Sequence, residues 1–320
     1  MSTTIARRAA DYDGHRITVA AADGVPLAVR VFGADDAPAT VVFVHGHCLH
    51  SESWSYLRDQ LLRQWGSDTR MVFYDHRGHG ESGAGHPSTY TIDQLGHDLD
   101  TVLRTVAPTG PVILVGHSMG AMVVLAYARL YPEAVGTRIA GVGLLAGAAN
   151  GITEVGLARF LNRRAVNSLV AAVTRAPRVM QASKRLTRGL VAPILREANF
   201  GTGKVNPRMA ALATAILNDT PLLTMCSFLH SLITFDETAT LHRLGTIPAL
   251  VLAGSADILV PFAHSVALAS QLAGSELVRL EGAGHSVMLE RADEVALSIV
   301  GLVERAFAAV RATADYAAAG

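Results

Sequence analysis

Three residues carry the chemistry that can be read directly from the chain: Ser118, Asp257 and His285. Ser118 stands in "GHSMG", between Gly116 and Gly120, where an apolar β-branched run ends and a long apolar segment begins. That is the pattern of a nucleophile elbow, a turn so tight that its neighbours must be small. A serine hydroxyl attacks a carbonyl only when a base removes its proton, and the base needs a carboxylate to orient it and balance its charge. Of thirteen histidines, His285 ends "LVRLEGAGH", after a Gly-x-Gly loop that can swing an imidazole inward. His230, His242 and His264 fall in helical contexts. Asp257 closes "ALVLAGSAD", again just past an apolar run, with Glu154 as the alternative acid. The order Ser, Asp, His along the chain is the one such an elbow requires.

A tetrahedral intermediate needs preorganised donors for its oxyanion. One is the N–H of Met119, directly after the serine. The second is expected from "HGHCLH", where Gly46 permits a turn and His47 offers its N–H. Gly46, His47 and His117 are expected to contact substrate. His45, His47 and His50 also fit a chelating pattern, but no acidic or cysteine ligand accompanies them, and the glycine turn explains the spacing better. No metal and no cofactor is expected.

The elements that must position these residues alternate. "HRITVA" and "VPLAVRVFG" read as two antiparallel strands joined by a Gly-containing turn. "ATVVFVHG", "TRMVFYD", "PVILVG", "IAGVGLLAG", "IPALVLAG" and "SELVRL" are short, buried, β-branched runs. Between them lie helical segments: "SESWSYLRDQLLRQWG", with a serine cap and Gly66 as its stop, "TIDQLGHDLDTVLRTV", "AMVVLAYARLYP" and "EVALSIVGLVERAFAAVRAT". Strands alternating with helices predict an α/β fold with a mostly parallel sheet covered on both faces. The Ala-rich C-terminal tail is expected to fray. A membrane span over Val112–Pro132 fails, because Gly116, His117, Ser118 and Gly120 interrupt the ~20 apolar residues such a span needs.

The interval 148–243 does not alternate. It reads as helices broken by Pro177, Pro193, Pro207 and Pro221, and it holds twelve Lys/Arg against five Asp/Glu. The rest of the chain holds fifteen against twenty-two, so a basic insertion sits on an acidic core although net charge is zero. The organisation expected is core over 1–147 and 244–320, with a helical cap over 148–243 above the carboxyl ends of the strands, where α/β sheets bind ligands. Arg159, Arg163, Arg164, Arg175, Arg178, Lys184, Arg185 and Arg188 crowd one part of the cap. Two readings of that run stand: a solvated face, or a weak contact with an anionic surface.

The 320 residues are half hydrophobic and 17% charged, ample for a buried core. Zero net charge gives no overall case for nucleic acid. "MSTTIARRAADYDGHR" lacks the apolar region of a secretory signal, and Cys48 and Cys226 lie far apart without ligand spacing. A cytoplasmic location is expected. Oligomeric state is left open.

Together "VVFVHGHCL", "FYDHRGHGESG", "VGHSMG", "LVLAGSADILVP" and "EGAGHSVMLE" resemble the α/β-hydrolase superfamily, specifically its esterase/lipase-like branch with a helical cap. The resemblance covers Val41 to about Glu304. It implies the triad Ser118, Asp257 and His285, and a structural turn made by Asp75, Arg77, Gly78 and Gly80. Serine at the elbow, where epoxide hydrolases and haloalkane dehalogenases carry aspartate, argues against both. The activity expected is hydrolysis of a small-molecule carboxylic ester through an acyl-enzyme. The alternatives are a thioesterase or C–C bond hydrolase on the same triad, or a non-catalytic ligand-binding relative.

Overall fold

The computed structural model describes residues 14–156, 163–184, 186, 198–203 and 206–319. Its eight strands are β1 (His15–Ala20), β2 (Pro26–Phe32), β3 (Thr40–Val44), β4 (Arg70–Tyr74), β5 (Val112–His117), β6 (Ile139–Leu145), β7 (Ala249–Gly254) and β8 (Glu276–Leu280). They form one sheet in the order β1-β2-β4-β3-β5-β6-β7-β8. β1 and β2 pair antiparallel around the turn at Gly24, and β2 pairs antiparallel with β4. Every other neighbour is parallel. The strand order reverses at β3, which lies between β4 and β5. The crevice at the carboxyl ends of β3 and β5 is therefore the place such sheets bind ligands.

Alternation along β3 decides what covers each face. Val42 and Val44 join a core with Leu95, Leu99 and Val102 of α2 (Ile92–Val106) and Val123 of α3 (Met119–Leu130). Val41 and Phe43 join the opposite core with Trp54, with Leu57 and Leu61 of α1 (Ser55–Trp65), and with Ile299 and Leu302 of the C-terminal helix. β3, β5, β6 and β7 are buried along their whole length, as strands covered on both faces must be. The cap expected of Ser51 is made instead by His50, whose Nδ1 accepts from the Glu52 N–H at 3.3 Å.

Between β6 and β7 the described residues hold helices and no strand: α4 (Arg163–Arg175), a helical run at 177–184, α5 (Pro207–Asp219) and α6 (Leu222–Ile233). Pro207 opens α5 and Pro221 caps α6, where a missing N–H costs no helical bond. Arg159, Arg185, Arg188 and Pro193 lie outside the described residues. After β7 come α7 (Ala263–Gln271) and α8 (Ala292–Ala319). The tail expected to fray continues α8 to Ala319, consistent with the high helix propensity of alanine. Among the described residues no single helix is long and apolar enough to cross a membrane. α5 and α6 meet that test only as a pair bent by 90°.

Candidate active site

Ser118 is the one residue between β5 and α3, and it stands at φ 53° and ψ −117°. A side chain held in that region costs on the order of 1–3 kcal/mol, so the surrounding turn has to enforce it. The Ser118 N–H donates to the Leu145 carbonyl at 2.8 Å, and its own carbonyl accepts from Ala121 at 3.0 Å. The glycines are dictated by contact. A Cβ on Gly120 would lie 1.9 Å from the Val44 carbonyl oxygen, and one on Gly116 would lie 2.4 Å from the Gly120 oxygen. Not even alanine fits.

The loops after β7 and β8 bring the other two residues to this turn. The Asp257 side chain is fully buried; its Oδ1 accepts from the N–H groups of Leu259 and Val260 at 2.8 and 2.9 Å. Its Oδ2 accepts the Nδ1–H of His285 at 2.7 Å. His285 Nε2 then faces the Ser118 hydroxyl at 2.9 Å. With Nδ1 holding the proton, Nε2 is the bare nitrogen and accepts from the hydroxyl. Ser118 remains partly exposed, so a ligand can reach it. Glu154, the alternative acid, is exposed in a surface turn closed onto Gly151.

Gly46 packs against the elbow: a Cβ there would sit 2.9 Å from His117 Nδ1 and 3.1 Å from the Ser118 Cβ. The chain then turns through Cys48 at φ 60°, and the Leu49 N–H closes on the Gly46 carbonyl at 3.2 Å. Met119, first residue of α3, has an N–H with no helical acceptor, at the end of the helix where the dipole favours negative charge. The His47 ring meets α6, where it reaches the Met225 carbonyl and packs edge-on against Phe228.

Sequence reasoning missed the buried histidines that hold this loop. His45 donates Nδ1–H to the Gly46 carbonyl at 2.8 Å and accepts the His76 N–H at Nε2, 2.9 Å away. His79 donates Nδ1–H to the Arg77 carbonyl and accepts the Cys48 N–H at 3.3 Å. His76 donates Nε2–H back to the His45 carbonyl at 3.0 Å. Each ring is thus fixed as one neutral tautomer. Burial pushes His45 down to about 4 and His76 and His79 well below the ordinary imidazole range. The repeated histidines of "HGH" and "DHRGHG" were the available signal, but they do not say which nitrogen meets which main-chain group.

His117, expected to contact substrate, is completely buried. Its Nε2–H donates to the His285 carbonyl at 2.9 Å, and burial lowers its pKa to about 3. It supports the loop of His285 rather than lining an approach to Ser118. The expected turn at Asp75 is in place: its carboxylate accepts the N–H groups of Ser51 and Glu81 at 2.7 and 2.8 Å. Arg77, fully buried, makes a two-pronged bond to Asp98 at 2.7 Å and also reaches Asp23 and Thr89. Among the described residues no group of three or more His, Cys, Asp or Glu side chains is arranged to hold a metal ion.

The turn at Ser118 and the loops carrying Asp257 and His285, on a sheet that reverses at β3, form the arrangement of an α/β hydrolase. The chain matches the model of the alpha/beta hydrolase family over residues 41–297 and belongs to that family. It is 28% identical over 295 residues to a monoacylglycerol lipase of Mycolicibacterium smegmatis, covering 87% of this chain and 92% of that one. It is 26% identical over 286 residues to a proline iminopeptidase of Pestalotiopsis fici, covering 88% and 98%. Among solved structures, a thermophilic esterase from Thermogutta terrifontis superposes with a TM-score of 0.74 at 23% identity, over 91% of this chain and 99% of that one. The enol-lactonase from Burkholderia xenovorans gives 0.71 at 23%, over 90% and 100%. These structural likenesses are likenesses of fold.

Proposed function

We propose that the protein hydrolyses carboxylic esters through an acyl-enzyme. The observation that carries this reading is the unbroken hydrogen-bond chain from Asp257 through His285 to a partly exposed, strained Ser118. Ser118 Oγ attacks the ester carbonyl while its proton passes to His285 Nε2. The N–H groups of Met119 and His47 receive the oxyanion, and Asp257 balances the imidazolium. His285 returns the proton to the leaving alcohol. Water, deprotonated by His285, then attacks the acyl-enzyme, and His285 returns that proton to Ser118 Oγ as the acid leaves. Cys48 and Cys226 are buried free thiols, which fits a reducing, cytoplasmic setting.

The same triad can serve thioesters, amides and some C–C bonds, because pocket shape makes the choice. The likeness to an iminopeptidase gives the amide reading a specific footing. A substrate with a free amine needs carboxylates near the serine. In the insertion Glu237 is engaged by Arg129 and Thr240, and Asp236 by Thr238. Neither of these two is free to bind an amine, and the ester reading is kept first. The test is a panel of p-nitrophenyl esters of increasing acyl length, run beside acyl-CoA, a ring-cleavage dienoate and prolyl p-nitroanilide. Faster turnover of any of the last three than of every ester would reassign the reaction.

The insertion is read as a cap because α6 lies on the oxyanion loop: Phe228 packs on His47, His79 and Tyr90. A cavity of about 960 Å³ within it is lined by Pro177, Gln181, Lys184, Pro221 and Leu223, and none of the triad lines it. In this cap Leu169, Val179 and Leu186 are 38%, 69% and 84% exposed, and Arg164, Arg175 and Arg178 are exposed as well. Exposed arginines suit an anionic surface, each exposed charge contributing about 1 kcal/mol there. Co-sedimentation with neutral and anionic vesicles at two salt concentrations, repeated with Arg164→Glu and Arg175→Glu, tests it. Equal, negligible binding throughout leaves a solvated lid.

A further inference from the structure

We infer that Glu290 is a positioning residue for His285, and that it ties the loop of the base to residues 198–203 of the insertion. The inference rests on His285 being the base. Gly284 immediately precedes His285, and a glycine leaves the backbone before the imidazole free to rotate unless something outside it fixes the peptide. Glu290 supplies that. Its Oε1 accepts the Gly284 N–H at 2.9 Å, and its Oε2 accepts the Gly201 N–H at 2.9 Å.

Two further bonds lace the same segments. The Ser286 N–H donates to the Asn199 carbonyl at 2.9 Å, and the Thr202 N–H to the Gly282 carbonyl at 3.0 Å. Residues 282, 284 and 286 are therefore all held, two of them directly by 198–203 and the middle one through Glu290. The approach is backbone to backbone: a Cβ on Gly201 would lie 1.9 Å from the Gly282 oxygen, and one on Gly284 would lie 2.5 Å from the Gly201 nitrogen.

A carboxylate is the group this joint requires. It presents two acceptors at once, whereas a carboxamide would turn its NH2 toward one of two main-chain donors. Among the described residues Glu290 has no ion-pair partner. Burial pushes its carboxyl above the ordinary range, with the Gly201 and Gly284 donors pulling the other way. The cost of burying a charge here is met by the two segments it joins. At Gly284, the residue before the base, 198–203 acts through this one side chain.

The test uses Glu290→Gln and Glu290→Asp, the latter keeping the charge but losing the reach. Both are expected to lower kcat for p-nitrophenyl butyrate by roughly 10- to 100-fold, the scale of a misplaced catalytic group, with KM nearly unchanged. Both should broaden or abolish the downfield proton resonance of the His285–Asp257 hydrogen bond while thermal unfolding stays cooperative. Gly201→Ala should lower kcat alike, and adding Glu290→Gln to it should cost little more, since both cut one joint. Wild-type kcat with a sharp downfield proton in both Glu290 variants would overturn the inference. If wild type hydrolyses no ester yet shows that proton, the proposed function fails, and the resonance still reads whether Glu290 positions His285.

Discussion

The Nε2–H of His117 donates to the main-chain oxygen of His285 at 2.9 Å, so the residue before Ser118 holds the loop of His285. His117→Leu leaves that carbonyl without this donor in a buried site. Stability should fall by about 1–3 kcal/mol, the cost of an unsatisfied buried group. Urea unfolding checks this, with the midpoint lowered and the slope retained. An unchanged midpoint would mean that the bond contributes nothing.

Ser118→Ala should reduce ester turnover by on the order of 10⁴ or more, because the triad acts as a unit. A fluorophosphonate should label the wild type and not this variant; label that persists would move the nucleophile to another serine. Ser118→Gly should be equally inactive yet more stable than Ser118→Ala by roughly 1 kcal/mol, since only glycine is at ease at φ 53°. Comparing their melting curves separates strain from chemistry.

Asp257→Asn should fold normally, because Oδ1 can still accept from Leu259 and Val260. It should lose roughly 10³ to 10⁴ in kcat through loss of imidazole orientation and charge balance. Near-wild-type activity would move the acid elsewhere, and Glu154→Gln is then the variant to make.

Much of this was legible because parallel strands announce themselves. β3, β5, β6 and β7 are unbroken apolar runs, and a chain that ends such runs with His45, Ser118 and Asp257 places them along one sheet edge. Ser118 could be read for a second reason: glycines at 116 and 120 are forced by contacts that permit no side chain. The role of His117 could not be read, since a histidine beside a nucleophile looks alike whether it faces substrate or, as here, a carbonyl 168 positions onward. The role of Glu290, which closes the matched stretch "EGAGHSVMLE", was hidden for the same reason. Its partners are main-chain N–H groups at Gly201 and Gly284, which leave no trace in residue type beyond two unremarkable glycines.

The final expectation concerns acid. His45, His76, His79 and His117 are fully buried and neutral, His45 with a pKa of about 4, His117 of about 3, and the other two well below the ordinary range. In the unfolded chain an imidazole takes its proton near pH ~6.5. Above that pH neither state is charged and the four rings are neutral to stability. As pH falls below it, the unfolded chain binds protons that the folded one refuses until about pH 4 or lower. Stability is therefore lost on the acid side, each ring contributing about 1.4 kcal/mol per pH unit and the four together up to about 5. A margin of roughly 5–15 kcal/mol is exhausted within a few units, so unfolding should be cooperative with a midpoint near pH ~4–5. The rings give geometric reasons to resist: a second proton on His45 or His79 must expel a main-chain N–H from Nε2. Potentiometric titration through the transition should count about five histidine protons taken up, those four and His47, which burial also pushes down to about 4, and about four in His76→Asn. Full stability down to pH ~3, or an uptake that His76→Asn leaves unchanged, would show that these rings do charge inside the fold.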